Sequence, residues 1–487
     1  MIARPDTGSR LGGYLSRDAA PSAAVPSDSH ATHLMAGQHL HTHGAATRTR
    51  STAVTDARLV AAGVCADLRR GELLDSAFDR RTAPLDARDR RWTRELVYGM
   101  LRMRGRLDAL LSDRVRGGLG RLDAELLDLL RLGAYQLLQM GSVPAYAAIA
   151  QTVELAKERA GEGAGKLANA VLRRLDRERD ALTPSAPADP LDALATEYSH
   201  PRWLVARWVE RWGEADTRRL LASNNTEPPI VARPVHVTRD ELAEALEAAG
   251  VRAEPAPLVD DSILLGGPVS ALTEIGAFRR GQFHIQDPAA TLVTRYADVP
   301  AGAMVADVCA APGGKSVELA RVAGAVFSSD VSIHRLTRVR ENVTRLALAN
   351  VHVFAADARM PAVRPVDAVL LDAPCTGTGT MRRHPDARWR LKPSDLAVMT
   401  ALQGMLLTAA AQIVKPGGLL VYSTCSLESE ENDEQVERFL ATHDGWRLEP
   451  PAAGTVSADV LDAGRLRVLP QRHGTDGAFA VRLRRPS

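Results

Sequence analysis

The sequence predicts a three-part chain: an all-α N-terminal domain, a small α+β middle domain and a C-terminal α/β domain of Rossmann-like type. Three observations predict it. Apolar residues recur at helical spacing from about 55 to 180, with no strand-like run among them. From 291 to the C-terminus, short apolar runs alternate with helical stripes, which implies a mostly parallel sheet covered on both faces. One of those runs, Met304-Val-Ala306, leads directly into Asp307-Val-Cys-Ala-Ala-Pro-Gly-Gly-Lys-Ser316. That stretch reads as a strand end, a tight glycine turn and a helix start carrying Val317, Leu319, Ala320 and Val322. Ligands bind at such places in open α/β sheets, outside the carboxyl ends of strands. Gly313 and Gly314 let backbone approach a ligand closely, and a helix N-terminus offers free N–H groups.

The totals set bounds. Among 487 residues, 45% are hydrophobic and 25% charged, an ordinary soluble composition. No apolar run looks long enough to cross a bilayer, and the N-terminus lacks the apolar core of a signal peptide. A cytoplasmic location is expected. Cys65, Cys309, Cys375 and Cys425 form no C-x-x-C pair, so no metal site and no structural disulfide is expected. The net charge of +2 carries no message by itself. Eleven arginines between Arg69 and Arg106 are a footprint for phosphates or a solvated helix face, in equal balance.

Taken in order, residues 1–52 are rich in Ala, Ser, Thr, Gly and His and are expected to be a disordered tail. His30, His33, His39, His41 and His43 are dispersed there without cysteine or acidic co-ligands, so the tail is not read as a metal site. Met35 is a second candidate start. Residues 55–180 show helical stripes at Leu126, Leu127, Leu130 and Tyr135, at Ile149, Val153 and Ala156, and at Leu167, Val171, Leu172 and Leu175. Pro144 stands where a helix begins. Leu132-Gly-Ala-Tyr-Gln-Leu-Leu-Gln-Met140, Val143-Pro-Ala145, Val153-Glu-Leu-Ala-Lys157 and Asn169-Ala-Val-Leu-Arg-Arg174 resemble the RNA-binding fold of the antitermination factor NusB. The resemblance implies RNA contact for this domain.

Residues 181–199, with Pro184, Pro187 and Pro190, read as a linker. Residues 200–290 read as a helical and small α+β RNA-binding subdomain. Trp203, Trp208 and Trp212 share a helix face there, and packing between domains is the favoured use over base stacking. Ile230-Val-Ala232 and Ile263-Leu-Leu265 are strands around a helix from Asp240 to Ala249, and Gly281 to Pro288 is a turn-like bridge. Residues 291–487 carry strands at 304–308, 325–329, 351–354, 368–371 and 419–422, the last entered through Pro416-Gly-Gly418. Val468-Leu469 and Phe479 to Leu483 close the sheet.

The strand ends carry the chemistry. Asp307, Asp330, Asp357, Asp372 and Thr424-Cys425 follow the five strands in turn, so they converge on one crevice. Asp330 stands where dinucleotide-type sites place the acid that holds a ribose diol. The loop is neither G-x-G-x-x-G nor G-x-x-x-x-G-K-[ST]: Gly314-Lys315-Ser316 imitates a phosphate loop, but residue 309 is cysteine. A nucleoside ligand without phosphates fits better. Asp372-Ala-Pro-Cys375 and Ser423-Thr-Cys-Ser426 then bring two thiols to that crevice, whereas Cys65 and Cys309 read as packing residues. Two thiols beside a nucleoside site suggest covalent attack on a base. A thiolate adding to carbon 6 of a pyrimidine makes carbon 5 nucleophilic enough to take a methyl group. Asp372 is placed to hydrogen-bond the ring. The residues alone do not rank the two thiols.

Asp307-Val-Cys-Ala-Ala-Pro-Gly-Gly-Lys-Ser316, Asp372-Ala-Pro-Cys375 and Ser423-Thr-Cys-Ser426 resemble the RNA 5-methylcytosine methyltransferases that use S-adenosylmethionine, and Arg383-His-Pro-Asp-Ala-Arg-Trp389 and His473-Gly-Thr-Asp-Gly-Ala-Phe479 extend the match. The resemblance covers about 55–487. It implies that Cys309, Ala310, Ala311, Pro312, Gly313, Gly314 and Lys315 line the methyl donor, that Asp330 binds its ribose and that Asp357 sits by its adenine. It implies that Asp372 borders donor and target base, that Cys425 is the nucleophile and that Cys375 assists release. With the NusB-like front end it implies 16S ribosomal RNA as the partner, with transfer RNA as the nearest alternative. A non-catalytic RNA-binding or antitermination factor would have no use for the intact thiols, and a nucleotide hydrolase lacks the rest of its loop. Ser316 stands where Thr is common, and Arg233-Pro-Val235 stands where Arg-Val-Asn is common, which weakens an RNA contact there.

Overall fold

The computed structural model describes residues 54–182, 187–266 and 272–487. The readings for the 1–52 tail, its histidines and Met35 lie outside the described residues.

Six helices form the N-terminal domain: α1 (Asp56–Arg69), α2 (Leu74–Thr82), α3 (Ala87–Ser112), α4 (Ala124–Gln139), α5 (Ala145–Ala160) and α6 (Glu162–Arg177). Asp123 caps α4, its carboxylate accepting from Glu125 N at 2.8 Å, and Pro144 directly precedes α5. Leu96, Leu130, Leu172 and Leu175 sit fully buried in one core with Cys65. Much of the arginine cluster is structural: Arg80 and Arg81 pair with the buried Asp67, Arg69 with Asp128 and Arg90 with Asp79.

The stretch expected as a linker contains a helix, α7 (Pro190–Glu197). Asp189 accepts from Leu191 N at 2.7 Å and Pro190 opens the first turn. Asp-Pro is a helix start as well as a linker signature. The next helix, α8 (Arg202–Asn224), is broken at Gly213, whose φ of 76° leaves the helical region. Trp208 packs in a cluster with Met381, Leu391, Leu427 and Leu469, so it joins domains as expected.

The middle domain is a four-stranded antiparallel sheet ordered β2-β3-β1-β4. Its strands are β1 (Ile230–Pro234), β2 (Arg252–Pro255), β3 (Ile263–Gly266) and β4 (Phe283–Ile285), with α9 (Arg239–Ala248) and α10 (Gly276–Arg279) beside them. Two strands escaped the sequence reading. β2 is a mostly exposed edge without an apolar pattern. β4 lies inside the segment read as a turn-like bridge and pairs with β1. A three-residue strand is too short for alternation to register.

The C-terminal domain opens with α11 (Pro288–Ala297) and then alternates β5 (Met304–Asp307), α12 (Gly314–Leu319), β6 (Ala325–Asp330), α13 (Ile333–Arg345), β7 (Val351–Ala355) and β8 (Val366–Asp372). There follow α14 (Ala387–Arg390), α15 (Pro393–Gln412), β9 (Val414–Thr424), α16 (Asp433–Thr442), β10 (Arg447–Leu448), β11 (Leu461–Asp462), β12 (Arg465–Val468) and β13 (Ala478–Arg484). The parallel strands run β9-β8-β5-β6-β7, and β13 joins β9 antiparallel with β12 beyond it. The strand order therefore reverses between β5 and β8, which opens a crevice at their carboxyl ends. Pro416-Gly-Gly418 lies inside β9 and not before it; the ladder with β8 shifts register there. By length and composition α15 is apolar enough to span a bilayer, which corrects the sequence reading. Its buried Leu406, Leu407 and Ala410 face the sheet, as in the core helix of a folded domain.

Candidate active site

The crevice gathers the strand-end residues. Asp307 ends β5 fully enclosed. Ser316 Oγ donates to its Oδ2 at 2.7 Å and Ser328 Oγ lies 2.8 Å from Ser316 Oγ, while Asp307 Oδ1 has no partner. Burial lifts this carboxyl to about 7 despite the Ser316 bond. A hydroxyl is what position 316 must supply, and serine supplies it. The turn then folds tightly: Ala310 N donates to Ser329 O at 2.9 Å and Gly313 N to Ala310 O at 2.7 Å. Gly313 has φ 101°, and a methyl there would stand 3.0 Å from Val339. Ala310 and Ala311 are buried, Pro312 is exposed, and Cys309 is held far above the usual thiol range by burial and the nearby carboxylates. Cys309 is therefore held in its unreactive thiol form. The helix α12 has six residues, shorter than the sequence reading.

Around the turn, Asp330 at the end of β6 accepts from Ser332 N at 2.9 Å and Ala311 N at 3.3 Å, with Arg335 Nη1 at 3.3 Å. Asp357 is held by Arg359, which keeps its carboxyl below the usual range. Asp372 links both halves of the site. Its Oδ2 takes Lys315 Nζ at 2.6 Å and its Oδ1 takes Ser423 Oγ at 2.8 Å. Burial pulls the Lys315 ammonium down, but Asp372 and Cys425 outweigh it and hold it above its ordinary value.

The two thiols meet: Cys375 Sγ and Cys425 Sγ are 3.4 Å apart. The two thiols are shifted in opposite directions. The Cys425 thiol is lowered by the bond from Cys375, then by Lys315 and His384, against burial and Asp372. Cys375 is pushed far up by the same bond and by burial. The contact itself is symmetric, since either sulfur can donate; the opposite directions of the two shifts favour Cys375 as donor and Cys425 as acceptor.

Sequence reasoning missed the brace behind them. Glu431 Oε1 accepts from Thr376 N and Gln403 Nε2, each at 2.9 Å, and its Oε2 accepts from the Thr376 and Ser426 hydroxyls. Asn432 Oδ1 takes Thr424 Oγ1 at 2.6 Å and its Nδ2 reaches Ser426 O at 2.9 Å. One buried carboxylate and one amide therefore bind the residues flanking both cysteines. Burial raises the Glu431 carboxyl despite those donors. The only sequence signal was Ser429-Glu-Glu-Asn432, a polar run that reads as solvated surface. Arg383, in the Arg-His-Pro-Asp stretch, donates to Asp476 Oδ2 at 2.5 Å and to Asp287, tying that stretch to the His473–Phe479 loop. Gly379 and Gly477 touch backbone to backbone: a methyl on Gly379 would stand 2.7 Å from Cys425 O.

Comparison with known proteins decides the family. The chain is 36% identical over 433 residues to a probable ribosomal RNA small subunit methyltransferase B of Synechocystis, covering 86% of this chain and 96% of the relative. The chain belongs to the 16S rRNA methyltransferase RsmB/F family. The RsmB/F family model itself matches residues 298–484, a NusB family model matches 55–177, and a ferredoxin-like domain model of RsmF/B-like methyltransferases matches 200–271. Ribosomal RNA small subunit methyltransferase B of Pseudomonas syringae is likewise 36% identical over 442 residues, covering 88% of this chain and 96% of the relative. Among solved structures, that of PH0851 superposes with a TM-score of 0.73 at 27% identity, covering 88% of this chain and 98% of that one. A methyltransferase homolog from Pyrococcus horikoshii superposes at 0.53 and 29% identity, covering 62% of this chain and all of that one. In RsmB/F terms, the paired thiols and the glycine turn both fall within the matched catalytic segment, and α1 to α6 fall within the NusB match.

Proposed function

We propose that this RsmB/F-family protein methylates carbon 5 of a cytidine in 16S ribosomal RNA through a covalent Cys425–pyrimidine adduct. The observation that carries the reading is the 3.4 Å approach of Cys375 and Cys425 beside the Lys315–Asp372 pair. The names of the relatives support ribosomal RNA as substrate. The reaction belongs in the cytoplasm, with the ribosome.

The residues present fit S-adenosylmethionine. Asp307 Oδ1 is an orphaned buried acceptor, suited to an ammonium group. The Cys309–Lys315 turn, Asp330 and Asp357 would hold the donor, with Asp330 exchanging the Arg335 contact for ribose hydroxyls. When bound, S-adenosylmethionine supplies an electrophilic methyl group.

The protein's own residues do the rest. Lys315 and the Cys375 S–H favour the Cys425 thiolate, which adds to carbon 6. Carbon 5 then carries nucleophilic density. Asp372 borders the ring and holds Lys315 in place. After transfer, a solvent base takes the proton from carbon 5, that C–H electron pair re-forms the carbon 5–carbon 6 double bond, and the Cys425 sulfur leaves, a departure that the Cys375 S–H assists by hydrogen-bonding the leaving thiolate. The target base must be unpaired or flipped, because both ring positions need access. The helical and middle domains would grip folded RNA through shape and backbone charge.

Cys425→Ala is expected to abolish methyl transfer while donor binding, followed by calorimetry, persists; full turnover would sink the assignment. Cys375→Ala is expected to accumulate a protein–RNA adduct that survives a denaturing gel. Bisulfite mapping of ribosomal and transfer RNA, with and without the protein, identifies the target.

A further inference from the structure

The turn after Cys375 carries His384 to the boundary with the helical domain. There His384 Nδ1 lies 3.1 Å from Asp75 Oδ2 on α2. Asp75 Oδ1 accepts from the Tyr98 hydroxyl on α3 at 2.6 Å. Asp75 is thus anchored within its own domain and presents its other oxygen to the imidazole. On the far side His384 is wired to the reactive thiol. Its backbone N donates to Thr380 O at 3.0 Å, and Thr380 N donates to Gly377 O at 2.9 Å. Gly379 N donates to Cys425 O at 2.9 Å, and a methyl on Gly377 would stand 3.9 Å from Cys425 Sγ. One imidazole and one short turn separate Asp75 from the sulfur.

The charged groups facing His384 come from several elements. Asp75 approaches from α2, Asp386 from the start of α14, and Asp476 from the loop before β13. Arg94 on α3 acts on Asp75, and the charge on His384 reaches the Cys425 thiol, just past β9, and lowers it. Burial favours the neutral ring, but the three carboxylates outweigh it and raise His384 above its ordinary value. A fixed cation near a thiol favours the thiolate.

We propose that Asp75 and Tyr98 of the helical domain hold His384 as an imidazolium beside the Cys425 loop, so that the helical domain completes the charge environment of the reactive thiol. His384 is a positioning residue, and its consequence for methyl transfer rests on Cys425 being the nucleophile. The NusB-like domain would then do more than hold RNA. Undocking it would withdraw a charge from the catalytic centre and couple domain closure to thiol activation.

The test uses the full chain without RNA. Iodoacetamide alkylation of Cys425 is followed against pH by peptide mass mapping in wild type, Asp75→Asn, His384→Gln and His384→Lys. Asp75→Asn and His384→Gln are expected to move the midpoint up by half to one pH unit, about three- to tenfold slower alkylation below the midpoint. His384→Lys restores the charge and the wild-type midpoint. The kcat profile shifts with it and recovers at high pH, while KM for RNA stays near wild type. A mere strut between domains would change stability and leave these profiles alone. An unmoved midpoint in folded His384→Gln overturns the proposal. That variant keeps the Tyr98–Asp75 bond, so it decides the matter even where Asp75→Asn fails to fold. A moved midpoint alongside a Cys425→Ala variant that still transfers methyl groups supports the charge coupling and rejects the nucleophile assignment instead.

Discussion

The catalytic domain meets its two neighbours through different chemistry. Towards the middle domain, Glu318 on α12 is sealed among two arginines and a buried histidine that burial holds towards its neutral form. It takes Arg233 Nη2 at 2.5 Å, His284 Nε2 at 3.0 Å and Arg321 Nε at 3.1 Å, with Arg233 only 2% exposed. Arg345 adds hydrogen bonds to Phe278 O and Phe283 O and stacks 3.8 Å from the Phe278 ring. Towards the helical domain the ion pairs are half-exposed: Asp75 with His384, and Asp79 with Arg338 at 2.8 Å. A cavity of about 370 Å³ lies there, walled by Leu101, Arg104, Asp386, Trp389 and Arg390. The difference falls along the proposed reaction. The glycine turn that leads into α12 is welded to the middle domain, whereas the segment after Cys375 leans on the helical domain. Donor seat and target seat are held with unequal stiffness.

Breaking the welded side gives the largest expected effect. Glu318→Ala leaves His284 without its carboxylate and Arg233 with Asp261 alone; losing one partner of a buried pair costs about 3–5 kcal/mol, and the Asp261 bond holds the loss to the lower end of that range. Unfolding followed at the middle and catalytic domains would show the loss, with donor affinity falling alongside as α12 loosens. A cost below about 1 kcal/mol would mean that this boundary is no stiffer than the other. The departure at Arg233-Pro-Val235 also finds its meaning here: Arg233 is spent on Glu318 and Asp261, inside the protein.

Trp389→Ala tests the compliant side. The indole donates to Leu101 O at 2.7 Å and lies under Arg104, and a methyl on Gly105 would stand 2.9 Å from its ring. Full truncation of a buried aromatic costs about 3–5 kcal/mol, so a partly buried one is expected to cost about half that. The helical domain should melt earlier while donor affinity stays near wild type. Equal loss of donor affinity in this variant and in Glu318→Ala would erase the distinction between the two sides.

Both sides were unequally legible in the sequence. The α/β order, the glycine turn and the two cysteine loops declared themselves because period, punctuation and rare residue types are local signals. The placement of the candidates at successive strand ends was also legible, since β5, β6, β7, β8 and β9 each lead into one of them. What stayed hidden depends on partners distant in sequence. Glu431 reads as solvated until Thr376, Gln403 and Ser426 surround it. His384 was seen as part of a motif, but nothing in the motif names Asp75, some three hundred residues earlier. The edge strand β2 and the short β4 carry too few alternating residues to register. The linker reading overlooked that Asp189-Pro190 caps a helix.

The smallest expected effect separates the half-exposed pair from the buried one by its response to pH. His384 is raised in the folded protein by its carboxylates, so its stabilising contribution is fully present below the unfolded histidine value of about 6.5 and is lost as pH rises through the folded value. Asp75 is lowered to about 2: burial alone would raise it, but His384 and Tyr98 prevail. Its contribution is lost only in strong acid. The pair therefore works best between those limits. The melting gap between wild type and His384→Gln should be widest near pH 5 to 6 and close towards pH 9. Both side chains are more than two-fifths exposed, so water screens the attraction and the gap should stay under about 1 kcal/mol. A gap that is flat with pH would place His384 in the seam by packing alone, which would also remove the charge on which thiol activation depends.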